Sequence, residues 1–172
     1  LAKREAASVQ EMKQLAARIT EKTSGLVRDM DEIVWAINPQ NDSLPPLTAY
    51  LCHFAREFVS PVRCRLDVMA DLPAYPLASD LRHHLFLVVK EALNNVVKHA
   101  KASEIWLRIS VRERVICLAL EDNGRGFDTA LPRAGGNGLR NMRRRLEEMG
   151  GTFELDSQPG TGTRIRLTLP LP

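Results

Sequence analysis

The sequence predicts a two-layer α/β sandwich, a mixed sheet with helices on one face, behind one long N-terminal helix. Three observations lead there. Apolar residues near the N-terminus recur at alternating steps of three and four; the remainder interleaves helix-period with strand-period segments; and several strand segments are hairpin neighbours, which rules out a purely parallel sheet. The division falls near residue 40, giving a helical segment over 1–40 and the sandwich over 41–172.

The first segment carries its seam at Val9, Met12, Ala16, Ile19, Thr23, Leu26, Met30, Ile33 and Ile37. That is a heptad pattern, and charged residues fill much of the rest. The helix should end at Asn38-Pro39, because proline disfavours helical geometry in the residue before it. A helix of about 30 residues is roughly 45 Å long, more than a compact domain uses. No other segment has a matching seam, so the partner is expected to be a second copy, an upstream helix, or both.

"NDSLPPL" reads as a linker, with Asp42 or Ser43 as N-cap of a second helix reaching about Ser60. "RCRLDVMA" alternates as a short strand. After a proline-rich turn, Ser79 or Asp80 should cap a helix running to about Ala100. "EIWLRIS" and "RVICLALE" form two strands joined by "VRER". A glycine-rich loop leads into "LRNMRRRLEEM", whose Leu139, Met142, Leu146 and Met149 share a face and which stops at Gly150-Gly151. "TFELDS" and "TRIRLTLP" close the chain around "QPGTG".

Composition excludes several classes. Hydrophobic residues make up 44% and charged residues 26% of the 172, ordinary for a folded domain rather than a disordered one. A net charge of +3 is too weak for nucleic acid without a basic patch, and in the one cluster, Arg143 to Arg145, the spacing to Glu147 and Glu148 favours a self-paired helix face. The three cysteines, Cys52, Cys64 and Cys117, make no CxxC and read as buried, reduced thiols of a cytosolic domain. No stretch is long and apolar enough to span a bilayer, so no membrane contact is expected of this segment. The chain starts at Leu1, already mid-helix, and is taken as part of something longer.

Four polar intrusions interrupt this core pattern. In "EALNNVVKHA", Glu91, Asn95 and Lys98 share one side of the helix, while Val89, Ala92, Val96 and Ala100 form an apolar face. Taken alone, that stripe reads as a solvated face with an ion pair. In "RVICLALEDNGRGFD" the period-two rule puts Asp122 on the face of Ile116, Leu118 and Leu120, where a carboxylate is costly without donors. Gly124 and Gly126 then form a loop that a ligand can approach, or a hairpin turn on Asn-Gly. "AGGNGLRNM" brings Gly136 and Gly138 to a helix start, where free amides and the helix dipole favour phosphate. Thr163 shares the inward face of Ile165, Leu167 and Leu169. One nucleotide with its metal satisfies all four: Asp122 and Thr163 on adenine, Asn95 on the metal, the glycine loop and Lys98 on phosphates.

The ordered set "EALNNVVKHA", "DNGRGFD", "GNGLRNM" and "GTGT" resembles the N, G1, G2 and G3 boxes of the GHKL ATP-binding superfamily, over about Leu81 to Pro170. Within it the chain resembles catalytic domains of bacterial sensor histidine kinases of the NarX and DesK type. The resemblance implies the Bergerat-type fold, ATP and Mg²⁺ as ligands, and cytoplasmic location. It implies Asn95 as the metal ligand and Asp122 as acceptor from the adenine amino group. Gly124, Gly126, Gly136, Gly138 and Leu139 would line the nucleotide and its lid, Lys98 and His99 would reach phosphates, and Thr163 would meet adenine through water. Glu91 would be a catalytic helper at the metal or in proton handling.

The first helix resembles the second helix of a dimerisation and phosphotransfer hairpin, implying a homodimer. The implied partner is a response-regulator receiver domain. No "DLHD"-like phosphoacceptor motif occurs, and His53, His83 and His84 read as interfacial or core histidines. The acceptor histidine is therefore expected upstream of Leu1. Competing readings are an ATP-driven dimer clamp, an anti-sigma serine kinase and a catalytically silent nucleotide-binding module.

Overall fold

The computed structural model describes residues 2–130 and 137–171. The chain divides into two units, Leu1–Asn38 and Pro39–Pro172.

The first unit is helix α1, Ala2–Ile37. Its seam residues Met12, Ile19, Leu26, Met30, Ile33 and Ile37 stand exposed. Thr23, the polar break in the seam, satisfies its hydroxyl on its own helix by donating to the Ile19 carbonyl at 2.9 Å.

The second unit opens with α2, Leu44–Phe58. Ser43 occupies the N-cap position with extended backbone, yet its side chain caps nothing. The reason is local: the second and third helical residues are Pro45 and Pro46, which have no N–H for the serine oxygen to accept from. Strand β1, Arg63–Val68, follows, then α3, Ser79–Asn95. The expected side-chain cap is also absent here. Ala78 holds the N-cap position, and Asp80 lies inside the first turn, where its charge suits the helix dipole. The helix does not continue regularly to Ala100; Val96–Ala100 is a π-helical turn, closed by Lys101 in the left-handed region at φ 54°.

Strands β2, Glu104–Arg112, and β3, Val115–Asp122, form a hairpin. Its turn residues Glu113 and Arg114 both have positive φ, 50° and 63°, the geometry that matches the twist of flanking strands. Helix α4, Gly138–Glu148, ends where Gly150 turns left-handed at φ 74°. Strands β4, Thr152–Ser157, and β5, Thr163–Pro170, complete a five-stranded sheet in the order β1-β2-β3-β5-β4. Only β1 and β2 run parallel, so the sheet is mixed as the interleaved sequence predicts.

The core lies between this sheet and α2, α3 and α4. Ile105, Leu107, Ile109, Ile116, Leu118, Leu120, Ile165, Leu167 and Leu169 face it from the strands. Leu47, Leu51, Leu85, Val89, Met142 and Leu146 meet them from the helices. The outer face carries charge pairs instead: Glu121 joins Arg108 at 2.6 Å and Arg164 at 2.8 Å, and Arg166 reaches Glu154 at 3.3 Å.

Three expectations need correction. The cysteines are free but half-buried, not buried. Of the histidines read as interfacial or core, His53 is exposed and paired with Glu57 at 3.5 Å and so is not a core residue, while His83 and His84 are half-buried. Of the paired arginines, Arg144 reaches Glu148 at 3.7 Å, whereas Arg143 lies over the Phe153 ring, 5.4 Å from its centroid.

Candidate functional site

The site forms where β3 and β5 end beneath α3. Asp122, last residue of β3, pairs in register with Thr163 on β5 and Ile105 on β2. It is 7% exposed, continuing the buried set Ile116, Leu118, Leu120. Burial pushes its carboxyl above the ordinary value of 3.8, against the opposing pull of the Gly124 and Thr163 amides. Gly124 N donates to Asp122 Oδ1 at 2.8 Å. The neighbouring Asn123 faces the other way and clasps β2: its Oδ1 accepts from Ser103 N and Glu104 N at 3.0 Å each, and its Nδ2 donates to Ser103 Oγ at 2.9 Å.

Beside Thr163 lies Ser157, last residue of β4 and 6% exposed. Ser157 Oγ accepts from Phe127 N at 3.0 Å, donates to the Gly162 carbonyl at 3.0 Å, and stands 3.1 Å from Thr163 Oγ1. Three loops meet here backbone to backbone. Arg125 N donates to Ala100 O at 2.8 Å, and Gly160 N donates to Arg125 O at 2.7 Å. Gly126 and Gly162 have φ of 56° and 82°, and a Cβ on either would strike a carbonyl oxygen, of Gln158 and Asp122 respectively. A Cβ on Gly124 would likewise meet the Ala100 carbonyl. The close approach of another loop therefore already requires this glycine.

The upper wall comes from α3 and the π turn. Asn95 ends the regular helix, and its Nδ2 is buried with no hydrogen-bond partner. Such an orphaned amide costs roughly 1–3 kcal/mol until something accepts from it. A π turn inside a helix commonly marks a functional site. His99, also on this turn, lines the crevice but is exposed, and Lys98 is exposed beside it. One turn before Asn95, Glu91 lies against the start of α4, so closely that a Cβ on Gly138 would clash with its carboxylate. A carboxylate there is stabilised by the positive end of the helix dipole.

Together these walls enclose a crevice. Among the described residues, Asn95, His99, Asp122, Gly126, Leu139 and Thr163 line it, with apolar Ala92, Val96, Leu120 and Ile165 between them. Arg125 and Phe127 line it as well. Neither was singled out from the sequence, because the direction in which a glycine-rich loop points its side chains is not encoded in a local period. Gly136 lies outside the described residues. Glu91, Lys98, Gly124 and Gly138 surround the crevice without lining it.

An apolar crevice whose closed end is formed by the buried Asp122 and the half-buried Thr163 suits a heteroaromatic base carrying an amino group. The Asn95 end suits a different chemistry. Its amide oxygen is the hard donor that a small divalent cation takes, and Glu91 supplies a carboxylate one turn away. No cluster of three or more His, Cys, Asp or Glu among the described residues forms a self-sufficient metal centre. That donor set fits a cation that arrives with phosphate oxygens as its remaining ligands.

Comparisons with known proteins match the part of the chain that carries this crevice. The sequence profile of the family described as histidine kinase-, DNA gyrase B-, and HSP90-like ATPase matches residues 80–172. The chain is 34% identical over 106 residues to the sensor protein VraS of Staphylococcus saprophyticus, covering 62% of this chain and 30% of that protein. It is also 34% identical over 106 residues to the sensor histidine kinase LiaS of Bacillus subtilis, covering 62% and 29%. The chain thus spans under a third of the length of these relatives. Among solved structures, the ATP binding domain of PrrB from Mycobacterium tuberculosis superposes with a TM-score of 0.58 at 27% identity, over 76% of this chain and 95% of that one. The histidine kinase domain of the blue-light activated kinase EL346 from Erythrobacter litoralis gives 0.60 at 26%, over 73% and 61%.

Proposed function

Since the chain belongs to the histidine kinase-, DNA gyrase B- and HSP90-like ATPase family, we propose that residues 41–172 are the catalytic ATP-binding domain of a two-component sensor histidine kinase. The parent protein would transfer the γ-phosphoryl of ATP to a histidine upstream of Leu1, and from there to an aspartate of a response-regulator receiver domain. The observation that carries this reading is the crevice itself. Its closed end presents Asp122 and Thr163 to a base, and its other end holds the unpartnered amide of Asn95.

Phosphoryl transfer asks a protein mainly for positioning and charge stabilisation. Asp122, held by Gly124 N, accepts from the amino group of adenine, with Thr163 beside it and Ile165, Leu120 and Val96 against the ring. Asn95 would hold magnesium, with Glu91 one turn away as a helper at the metal or in proton handling, and the metal would supply charge neutralisation to the phosphates. Lys98 and His99 stand exposed on the π turn, within the sequence stretch that faces the phosphate end. Gly138 opens α4, whose N-terminus favours an anion.

The exposed seam of α1 supports pairing with a second copy, residues 1–40 serving as the second helix of a dimerisation and phosphotransfer hairpin. The glycine-bounded segment between Phe127 and Gly138 is short, and "GLRNMRRRLEEMGG" follows it; both favour the NarX and DesK type. A cytoplasmic placement fits a domain that consumes ATP; no helix among the described residues is long and apolar enough to cross a membrane.

The test is to supply this chain with an upstream helix carrying the acceptor histidine, in the presence of ATP labelled at the γ-phosphate. Acid-labile label on that histidine is expected. ATP hydrolysis without label would place the chain with the dimer clamps, and label on serine with the serine kinases.

A further inference from the structure

We propose that Ser157 is a positioning residue that fixes the direction of the Thr163 hydroxyl, so that the closed end of the crevice offers only acceptors and selects a 6-amino purine over a 6-oxo purine. The inference rests on the nucleotide-binding reading above and adds to it a residue that the sequence did not single out.

Counting protons fixes the direction of each hydrogen bond in this cluster. A serine hydroxyl has one hydrogen to donate and two lone pairs to accept with. Phe127 N carries its own hydrogen and points it at Ser157 Oγ, 3.0 Å away, which uses one lone pair. The carbonyl of Gly162, also 3.0 Å away, can only accept. Gly162 is buried, so leaving its oxygen unmet would carry a desolvation cost. The single Ser157 proton therefore goes to Gly162.

What remains on Ser157 is one lone pair, and 3.1 Å from it is Thr163 Oγ1. The Thr163 hydroxyl accordingly turns its hydrogen toward Ser157. Both of its lone pairs are then left for the crevice, which Thr163 lines.

Asp122 lies opposite Thr163 in the strand register, and one of its oxygens is already engaged by Gly124 N. Its other oxygen joins Thr163 in presenting acceptors. An exocyclic amino group in direct contact brings the hydrogens that such an edge needs. A 6-oxo group brings a third acceptor, and the acceptors repel. The discrimination is of the kind that a site built from fixed hydrogen bonds achieves.

Calorimetric affinities for Mg·ATP and Mg·ITP, measured on the whole chain, test this. In Ser157→Ala the Thr163 proton is released and can rotate to donate to the 6-oxo group. The ratio of ATP to ITP affinity is expected to fall about fivefold, the scale of one net hydrogen bond. Ser157→Thr, which keeps the hydroxyl, should restore the ratio. In a Thr163→Val background, Ser157→Ala should shift the ratio no further. Equal weakening of both nucleotides in Ser157→Ala, or an undiminished shift without the Thr163 hydroxyl, overturns the proposal. Should Ser157→Ala fail to fold, Ser157→Cys, of similar volume and a weak acceptor, is expected to move the ratio the same way, and an unmoved ratio again overturns it. Asp122→Ala separates the two levels of inference. Unchanged ATP affinity in that variant removes the base pocket itself, whereas lost affinity there with an unmoved ratio in Ser157→Ala removes only the role of Ser157.

Discussion

The two ends of the crevice are built to different degrees of completion. At the closed end, Asp122 Oδ1, Ser157 Oγ and Thr163 Oγ1 all have partners within 2.8 to 3.1 Å. At the open end, the Asn95 amide is buried with one end unmet, on the last regular turn before a π segment. A finished hydrogen-bond network costs nothing to organise when a ligand arrives. An unfinished one gains when the ligand supplies what is missing. The closed end is therefore where identity is read, and the open end is where charge is completed by what binds.

That contrast can be broken at several points. The largest effect is expected from Gly162→Ala, which forces a side chain into a left-handed conformation at φ 82° with its Cβ against the Asp122 carbonyl. A loss of about 3 kcal/mol of stability is expected, since strain and a backbone clash add, seen as a lowered denaturation midpoint. A midpoint within error of the parent would show that the loops are not locked. Next comes Asp122→Ala. ATP affinity should fall about 10- to 100-fold, the range for a hydrogen bond to a charged group, whether or not magnesium is present.

Asn95→Ala should sharpen the comparison from the other side. Affinity for ATP in a chelator should hold, while the gain on adding magnesium should drop by about tenfold, roughly the worth of one lost ligand contact. Loss of metal-free binding instead would mean that the open end also reads the base.

The smallest effect concerns pH. Burial holds the Asp122 carboxyl above its ordinary 3.8, so the folded protein binds this proton more tightly than the unfolded chain does. Its contribution to stability is then fully present below 3.8 and is lost as pH rises through the raised folded value. Asp122→Asn removes that titration. Its melting temperature relative to the parent should climb across that window and level off above it. A flat difference would mean the carboxylate bears no burial cost.

Much of this site was legible in the sequence, because period two in a strand transmits orientation over several residues. Asp122 and Thr163 were placed on the inner face from the alternation of Ile116, Leu118 and Leu120 and of Ile165, Leu167 and Leu169, and the structure buries those apolar sets. The same rule, carried along "TFELDS", puts Ser157 on the face of Phe153 and Leu155. That signal was present and went unused. The failed cap at Ser43 was also readable, since two successive prolines remove the amides that it would accept from. Other features have no local signature. Nothing in "NNVVKHA" marks a π turn, with neither glycine nor proline to announce it. Nor does the sequence announce that the Ala100 carbonyl packs against Gly124, since only the fold brings the two together.

The meeting of three loops largely through main-chain contacts also constrains how such a protein changes over generations. A wall made of main chain cannot be loosened by trimming a residue or tightened by enlarging one, so its contour is inherited whole. Drift toward a different purine has only the few groups that project from that wall to work with. Asp122, Ser157 and Thr163 are where divergence in base preference would be written, while the glycines around them stay as they are.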